Sequence, residues 1–500
     1  MPVSQAEGKH PMSTNITRIA NLDHVVAWDE AEQRHVYVDG ADLVFRGNEI
    51  VHVGPGYAGT ADTSVDGKGF MAIPGFVNVH SHPFSEPANK GLTEEFGSDK
   101  LGQSSLYEYL PVFGLDAEDA GPSTLVALSE LLKSGVTTIT DLSVARPGWL
   151  DDLARSGIRA VVAPMMREGY WFTKNGHTVD YAWDEKAGEK AFAGAMATID
   201  AALKHPSGRL SGMVCPSQID TCREGYFREA LHEAKRRGIP MQTHACQAVV
   251  EFHEMVHRHG KTPIEWLDAI GVLGPDLVIG HAIFLSDHPQ IHYPHGRDFE
   301  ILKDSGAAVA HCPTVFARRG MALNTIGRYM NAGITVGIGT DTFPHNMVDE
   351  IRLACYLARV VSGNYKMGTT RHAFEAATVG GAKILRRPDL GRLAPGAKAD
   401  FSLVDMAHPF MQPAQEPVRS LIYSASDRAI RHVYVDGTQV VRDGKVLTVD
   451  VEAATAGLVE GQRKRLKTVP QRDWAGRTAE QLAPPVYAKK DRLPQSRPVT

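Results

Sequence analysis

The sequence is short of several things, and each absence narrows its function. It has no basic excess: 53 Lys and Arg stand against 58 Asp and Glu, for a formal net charge of −5. That is no footprint for nucleic acid or an anionic membrane surface. It has no run of about 20 apolar residues, so no membrane span is expected. The first fifteen residues, MPVSQAEGKHPMSTN, lack an apolar stretch of the kind a signal peptide needs, and none is expected. The five cysteines, Cys215, Cys222, Cys246, Cys312 and Cys355, form no framework of short spacings. An odd number of scattered thiols in 500 residues fits a reduced, cytoplasmic protein. With 43% hydrophobic and 22% charged residues, what remains is an ordinary globular composition, long enough for more than one core.

From Ile16 to Met71 short apolar runs alternate with turn pairs such as Asp39-Gly40 and Gly47-Asn48, the pattern of strands joined by hairpins. From Ala72 the rhythm changes. Eight short β-branched runs alternate with helical segments: 72–79, 136–141, 159–166, 211–215, 239–244, 276–281, 307–312 and 334–341. Gly135, Gly157, Gly238, Gly306 and Gly333 each fall between a helix and the next strand, where a left-handed cap belongs. Eight strand–helix repeats with nearly continuous apolar strands predict an α/β fold, a (β/α)8 TIM-like barrel. Strand character returns after Gly391 in ADFSLVDM, HVYVDGTQVV and the turn Asp443-Gly444. The expected organisation is a small β-sandwich domain from both ends of the chain (16–71 plus 388–450) and an inserted barrel (72–387). Residues 451–500 complete it as a C-terminal helix and an extended arm or loosely held tail.

On this map the polar residues fall in one place. His80 and His82 follow strand one, Asp141 ends strand two and His244 strand five; His281, His311 and Asp341 end strands six, seven and eight. In a barrel all carboxyl ends open on the face that carries the active site. Residues i and i+2 of a strand project to the same side, so His80 and His82 can reach one ion. Taken singly, His-x-His reads as loop, a buried histidine as hydrogen-bonded core and an Asp after Gly-x-Gly as a cap. Together, three imidazoles and one carboxylate suit zinc or a similar divalent cation, with a place left for water. Asp141 reads as a strand-end cap, His345 as a loop residue, Arg318-Arg319 as an exposed pair, and Trp171, Phe172 and His177 as either packing or a cover.

The segments GFVNVHSH, TTITD, MQTHACQ, VIGH, HCPT, GIGTD, ATVGGAKIL and LGRLAPGAKADFSLVD together resemble the amidohydrolase superfamily. The similarity is to the branch of atrazine chlorohydrolase, the triazine hydrolases, cytosine deaminase and guanine deaminase, and it runs from about Ile16 to Val449. The resemblance implies a hydrolase of non-peptide carbon–nitrogen bonds. It assigns one divalent metal ion (zinc, with Fe2+ or Mn2+ as alternatives) to His80, His82, His244 and Asp341. Strand four, SGMVC, has no lysine for a second ion. Asp341 is implied as the base that takes a proton from water and, with His281, returns it to the leaving group; His281 also meets the substrate. Ammonia or an amine leaves a small heterocyclic or amide-like molecule; chloride or thiolate would need no proton. By analogy the chain is a homo-oligomer, and a silent homologue is disfavoured because no ligand is lost. Two departures stand out. The deaminases read His-x-x-Glu where this chain has His244-Ala245-Cys246-Gln247, and a glutamine binds substrate but cannot ionise to move a proton. Strand seven has His311-Cys312-Pro313-Thr314 in place of Asn-Pro, so His311 is either a pocket or a core residue.

Overall fold

The computed structural model of the protein describes residues 15–92, 99–102, 104, 106–323 and 325–490. The residues read for a signal peptide before Asn15, and the last ten of the expected tail, lie outside the described residues.

Five strands open the chain: β1 (Ile16–Asp29), β2 (Arg34–Arg46), β3 (Glu49–Gly54), β4 (Thr63–Asp66) and β5 (Phe70–Pro74). The middle of the chain carries β6 (Phe76–Ser81), β7 (Val136–Asp141), β8 (Arg159–Val162), β9 (Met165–Met166), β10 (Gly169–Phe172), β11 (Asp180–Trp183), β12 (Leu210–Gly212) and β13 (Cys215–Pro216). It continues with β14 (Met241–Ala245), β15 (Leu277–His281), β16 (Ala308–His311) and β17 (Val336–Ile338). The last four are β18 (Phe401–Asp405), β19 (Ile430–Val435), β20 (Thr438–Arg442) and β21 (Lys445–Val446).

Both ends of the chain share one nine-stranded sheet, ordered β21-β20-β19-β18-β5-β1-β2-β3 with β4 beside β1. The expected sandwich is therefore one continuous hydrogen-bonded sheet. It packs on its own apolar cluster, where Phe401 and Tyr434 stack at 4.5 Å over Phe45, Ile19 and Leu43. Gly47-Asn48 and Asp443-Gly444 make the expected turns, but Asp39-Gly40 lies inside β2, and the β1–β2 turn falls at Glu30–Gln33. Gly40 adopts φ +59°, and the ladder shifts register between Ala41 and Leu43, so the pair that reads as a turn sits beside a bulge.

All eight predicted strands of the middle region form, in two four-stranded sheets ordered β12-β8-β7-β6 and β14-β15-β16-β17, every pairing parallel. Ser81 bridges to Asp341, and Val214 and Gln218 bridge to Met241 and His244, so pairings run between the two sheets at both edges. Helices Ala120–Lys133, Glu224–Arg237 and Met347–Ser362 lie between or after the predicted strands, as the alternation requires. Gly135, Gly157, Gly238, Gly306 and Gly333 all take positive φ, as C-cap glycines do. The buried faces meet in a large core that includes Ile139, Val162, Phe227, Phe252 and Ile279. Among the described residues no helix is long and apolar enough to cross a membrane.

One buried ion pair ties the terminal sheet to the strands above it. Arg159, at the start of β8, donates through Nε (2.9 Å) and Nη2 (3.1 Å) to Asp400 and through Nη2 to Asp436 (2.8 Å). Asp400 closes the GRLAPGAKAD stretch and also accepts the Asp436 N–H at 2.6 Å, so that motif's last residue anchors one sheet to the other. A second tie is His35. Its Nε2 lies 3.1 Å from Thr378 Oγ1 and its ring meets Trp28 and Phe374 edge-on. Burial lowers its pKa to about 4.

Two outcomes follow. Removing one partner of a buried pair leaves the other charge uncompensated, so Arg159→Leu should destabilise the chain by about 3–5 kcal/mol in denaturant unfolding. The folded state resists protonating His35, so its share of stability is complete above the free-histidine pKa of about 6.5 and is lost as pH falls towards 4. His35→Phe should therefore show a smaller drop in unfolding midpoint between pH 7 and pH 4.5 than the unaltered protein.

Candidate metal centre

The site is built by neighbouring strand ends. His80 and His82 project from the end of β6, His244 from β14, His281 from β15, and Asp341 lies just beyond β17. The Nε2 atoms of His82 and His244 are 3.2 Å apart. Asp341 Oδ1 lies 3.3 Å from His82 Nε2 and 3.7 Å from His80 Nε2, and its Oδ2 lies 3.7 Å from His281 Nε2. Donor atoms of His80, His82 and His244 fall within 4.8 Å of one another, as do those of His80, His281, Cys312 and Asp341.

The opposite nitrogen of each imidazole fixes what faces inward. His80 Nδ1 donates to Gln242 Oε1, His82 Nδ1 to the Leu142 carbonyl at 2.7 Å and His244 Nδ1 to the Ser217 carbonyl at 2.6 Å. A proton held at Nδ1 by a carbonyl oxygen leaves a lone pair at Nε2. Three such lone pairs and a carboxylate thus converge. His80 Nε2 is fully buried with no hydrogen-bond partner, an arrangement that is costly in apolar surroundings unless a cation accepts it. Burial drives the His80 pKa down to about 3 and those of His244 and His281 well below the usual histidine value, so all three are neutral and able to donate. The donor set fits a divalent cation such as zinc.

The backbone makes room for this. A Cβ on Gly339 would lie 2.6 Å from His80 Cβ, and one on Gly280 would lie 2.8 Å from His80 Cε1, so the glycines of GIGTD and VIGH clear the space His80 occupies. Asp341 sits at φ +56° and Cys246 at φ +57°, sparsely populated for residues with a Cβ. Asp341 is locked there by its N–H to the His80 carbonyl and its carbonyl to the His82 N–H, both 2.9 Å. Asn78 holds Thr340 beside it, Nδ2 to Oγ1 at 2.9 Å.

The centre opens into a cavity of about 500 Å³ with mixed walls: apolar Phe84, Leu142, Trp171 and Phe316, and cationic Arg167, Arg319 and Arg472. Gln247 and His281 line it; His311 does not, being buried at the end of β16. The Gln247 side-chain amide donates to Gln218, and its backbone N–H reaches Glu251 at 3.4 Å. Asp141 is a buried acceptor for Ser143 Oγ and for Trp149 Nε1 (2.8 Å), as a strand-end cap would be. His345, read as a loop residue, is fully buried beside Ser81 and Thr340. Arg318 and Arg319, read as an exposed pair, are both half-buried: Arg318 donates to the Phe343 carbonyl, and Arg319 lines the cavity. Trp171 lines it too and donates to Asp220 at 2.9 Å, whereas His177 is exposed beside Lys100.

Three contributors escaped the sequence reading. Gln242, two residues before His244 on an apolar strand, shares its inward face, and that spacing was a usable signal. Glu86 lines the cavity, and so does Arg472 at the end of the helix Val451–Arg472. The segment read as an extended arm or a loosely held tail packs on the rest of the chain as far as Leu482: Arg477 and Trp474 bind Glu108 at 2.7 and 2.9 Å, and Val469 and Leu482 pack on Phe113.

Comparison with known proteins agrees with this architecture. Among solved structures, the chain superposes on a zinc complex of atrazine chlorohydrolase from Arthrobacter aurescens (TM-score 0.74, 22% identity, 89% of this chain and all of that one). A zinc-bound adenosine deaminase from Xanthomonas campestris gives TM-score 0.74 at 20% identity, covering 91% of this chain and 99% of that one. A 5-methylthioadenosine/S-adenosylhomocysteine deaminase of Halobacterium salinarum is 31% identical over 425 residues, 83% of this chain and 91% of that protein. The profile of the amidohydrolase family matches residues 71–440. That match spans most of the chain, strand ends and glycines included, and the chain belongs to the amidohydrolase family.

Proposed function

We propose that the protein is a hydrolase that breaks a non-peptide carbon–nitrogen bond of a small, heterocyclic or amide-like substrate, using one divalent cation, most simply zinc, held by His80, His82, His244 and Asp341. The observation that carries this reading is the cluster of His80, His82 and His244 donor atoms within 4.8 Å of one another, with Asp341 3.3 Å from His82 and 3.7 Å from His80, beside a cavity large enough for such a molecule. The zinc-bound fold neighbours and the deaminase relatives support it.

The same reading takes the two parallel sheets as one closed (β/α)8 barrel spanning 72–387, supported by the bridges Ser81–Asp341 and Gln218–His244. Residues 16–71 with 388–450 are then the small β domain, and the segment from 451 is a C-terminal addition that covers the barrel mouth.

When bound, the cation supplies Lewis acidity and makes a water molecule acidic enough to yield its proton near neutral pH. Asp341 is placed to accept that proton, since its carboxylate stands among the three imidazoles. His281, held edge-on against Phe316 with ring centroids 4.6 Å apart, is placed to hydrogen-bond the oxygen that gains charge as the carbon is attacked. Gln247 orients a substrate nitrogen by hydrogen bonding, its amide fixed by Gln218. The walls of Phe84, Trp171 and Phe316 exclude water and suit a flat ring. A substrate whose leaving group needs no proton, such as chloride, is a second reading, and the non-ionising Gln247 favours it.

A screen of amino- and chloro-substituted s-triazines, pyrimidines, cyclic ureas and amides should reveal hydrolysis that stops with a strong chelator and returns with zinc. Asp341→Asn should lower kcat by at least about 1,000-fold, and full turnover in that variant would overturn the scheme. Gln242→Leu, which frees His80 Nδ1, should weaken metal affinity about 10- to 100-fold in a competitive chelator titration.

A further inference from the structure

The reading above gives one step no acid of its own; the family resemblance leaves it to Asp341 and His281, which already stand among the metal-site histidines. A leaving amine must be protonated as the carbon–nitrogen bond breaks, and the residue in the deaminases' glutamate position is Gln247, which cannot release a proton by ionising. Among the described residues that line the cavity, only two carry a carboxyl group, Asp341 and Glu86. Asp341 is engaged by the imidazoles. Glu86 is 7% exposed, and its side chain accepts at Oε2 from Asn89 Nδ2 at 3.3 Å. Glu86 lines the cavity beside Ser85, Phe84 and His82.

The turn that carries Glu86 is held from both sides. It is a single 3-10 turn, Glu86–Asn89, stiffened by Pro87 and only four residues past His82. Ser123 Oγ donates to the Pro83 carbonyl at 3.2 Å. On the other side Gln462, from the helix Val451–Arg472, donates through Nε2 to the Ala88 and Lys90 carbonyls at 2.6 and 3.1 Å. Ala88 packs in a small cluster with Leu115, Val126, Ala454 and Leu458. The C-terminal helix thus has a local task, to seat a carboxyl group in the cavity wall. Burial, with the charge of the nearby Asp341, holds that carboxyl's pKa above the ordinary glutamate value.

We propose that Glu86 is a catalytic residue of this site, the acid that protonates the leaving nitrogen in place of the missing strand-five glutamate. The inference rests on the proposed C–N hydrolysis. Water loses a proton to Asp341 as its oxygen bonds to the substrate carbon. The carbon–nitrogen bond then breaks, its electron pair staying on nitrogen, while the Glu86 O–H proton moves to that nitrogen. The product keeps the water oxygen, and the proton on Asp341 passes through solvent in the cavity to restore Glu86. Substrate plus water gives hydroxylated product plus amine, with both carboxyl groups returned to their starting states.

The test is a pair of leaving groups on one ring, methylamine against chloride on an otherwise identical s-triazine or pyrimidine, with full-length wild type, Glu86→Gln and Glu86→Asp. Glu86→Gln should lower kcat for amine release about 100-fold while KM and chloride release stay within about 3-fold, and Glu86→Asp should recover part of the loss. Metal content and melting temperature, read on the same samples, should match wild type. Equal losses for both leaving groups at unchanged metal content, or undiminished amine release, would overturn the role of Glu86. If wild type hydrolyses neither ring with its metal in place, the C–N hydrolase reading fails, and the proposal with it.

Discussion

The structure turns on one electrostatic constraint: the imidazoles of His80, His82 and His244 bring their Nε2 atoms together beside the Asp341 carboxylate. Water cannot relieve that arrangement at His80, whose inward nitrogen is fully buried without a partner. A cation can. Much of what surrounds the centre serves to hold it. Gln242 and the carbonyls of Leu142 and Ser217 fix the tautomers. Gly280 and Gly339 vacate the volume that the His80 ring and backbone need. Asp341 is kept in a strained backbone conformation by two hydrogen bonds to the strand that carries His80 and His82.

Around this centre the fold separates support from selection. The terminal sheet lies on the other side of the strands, joined through Arg159 and Asp400 at the start of β8, far from the strand ends that carry the histidines. At the mouth, the loop after β6, the β10–β11 hairpin and the C-terminal helix bring Glu86, Trp171 and Arg472 to the cavity. The family match places the chain among the amidohydrolases, and Gln247 and Arg472 line its cavity.

How much of this could be read in the sequence depended on range. Strand ends were legible because apolar β-branched runs stop at His82, His244, His281 and Asp341, and period two puts His80 and His82 on one side. The helix-capping glycines were legible because a left-handed turn has few alternatives to glycine. Asp39-Gly40 misled because a dipeptide that favours positive φ suits a bulge within a strand as well as a turn. His311 was ambiguous because a strand-end histidine looks the same facing the cavity or the core, and it is not among the residues that line the cavity; His345 lies in a loop, as read, but is fully buried in contact with Ser81. Glu86 and Arg472 carried no local signal. One follows a His-x-His by four residues and the other ends a polar helix nearly 400 residues away, and only tertiary packing brings both to one cavity.

The most direct measurement of the central claim is a crystal structure of the purified protein with diffraction recorded on either side of the zinc absorption edge, alongside elemental analysis of the same batch. The account predicts one divalent cation per chain, with an anomalous peak about 2.0–2.2 Å from the Nε2 atoms of His80, His82 and His244 and from an Asp341 oxygen. A folded, zinc-supplied crystal whose four side chains hold no common ion, or whose only ion lies elsewhere, would contradict it.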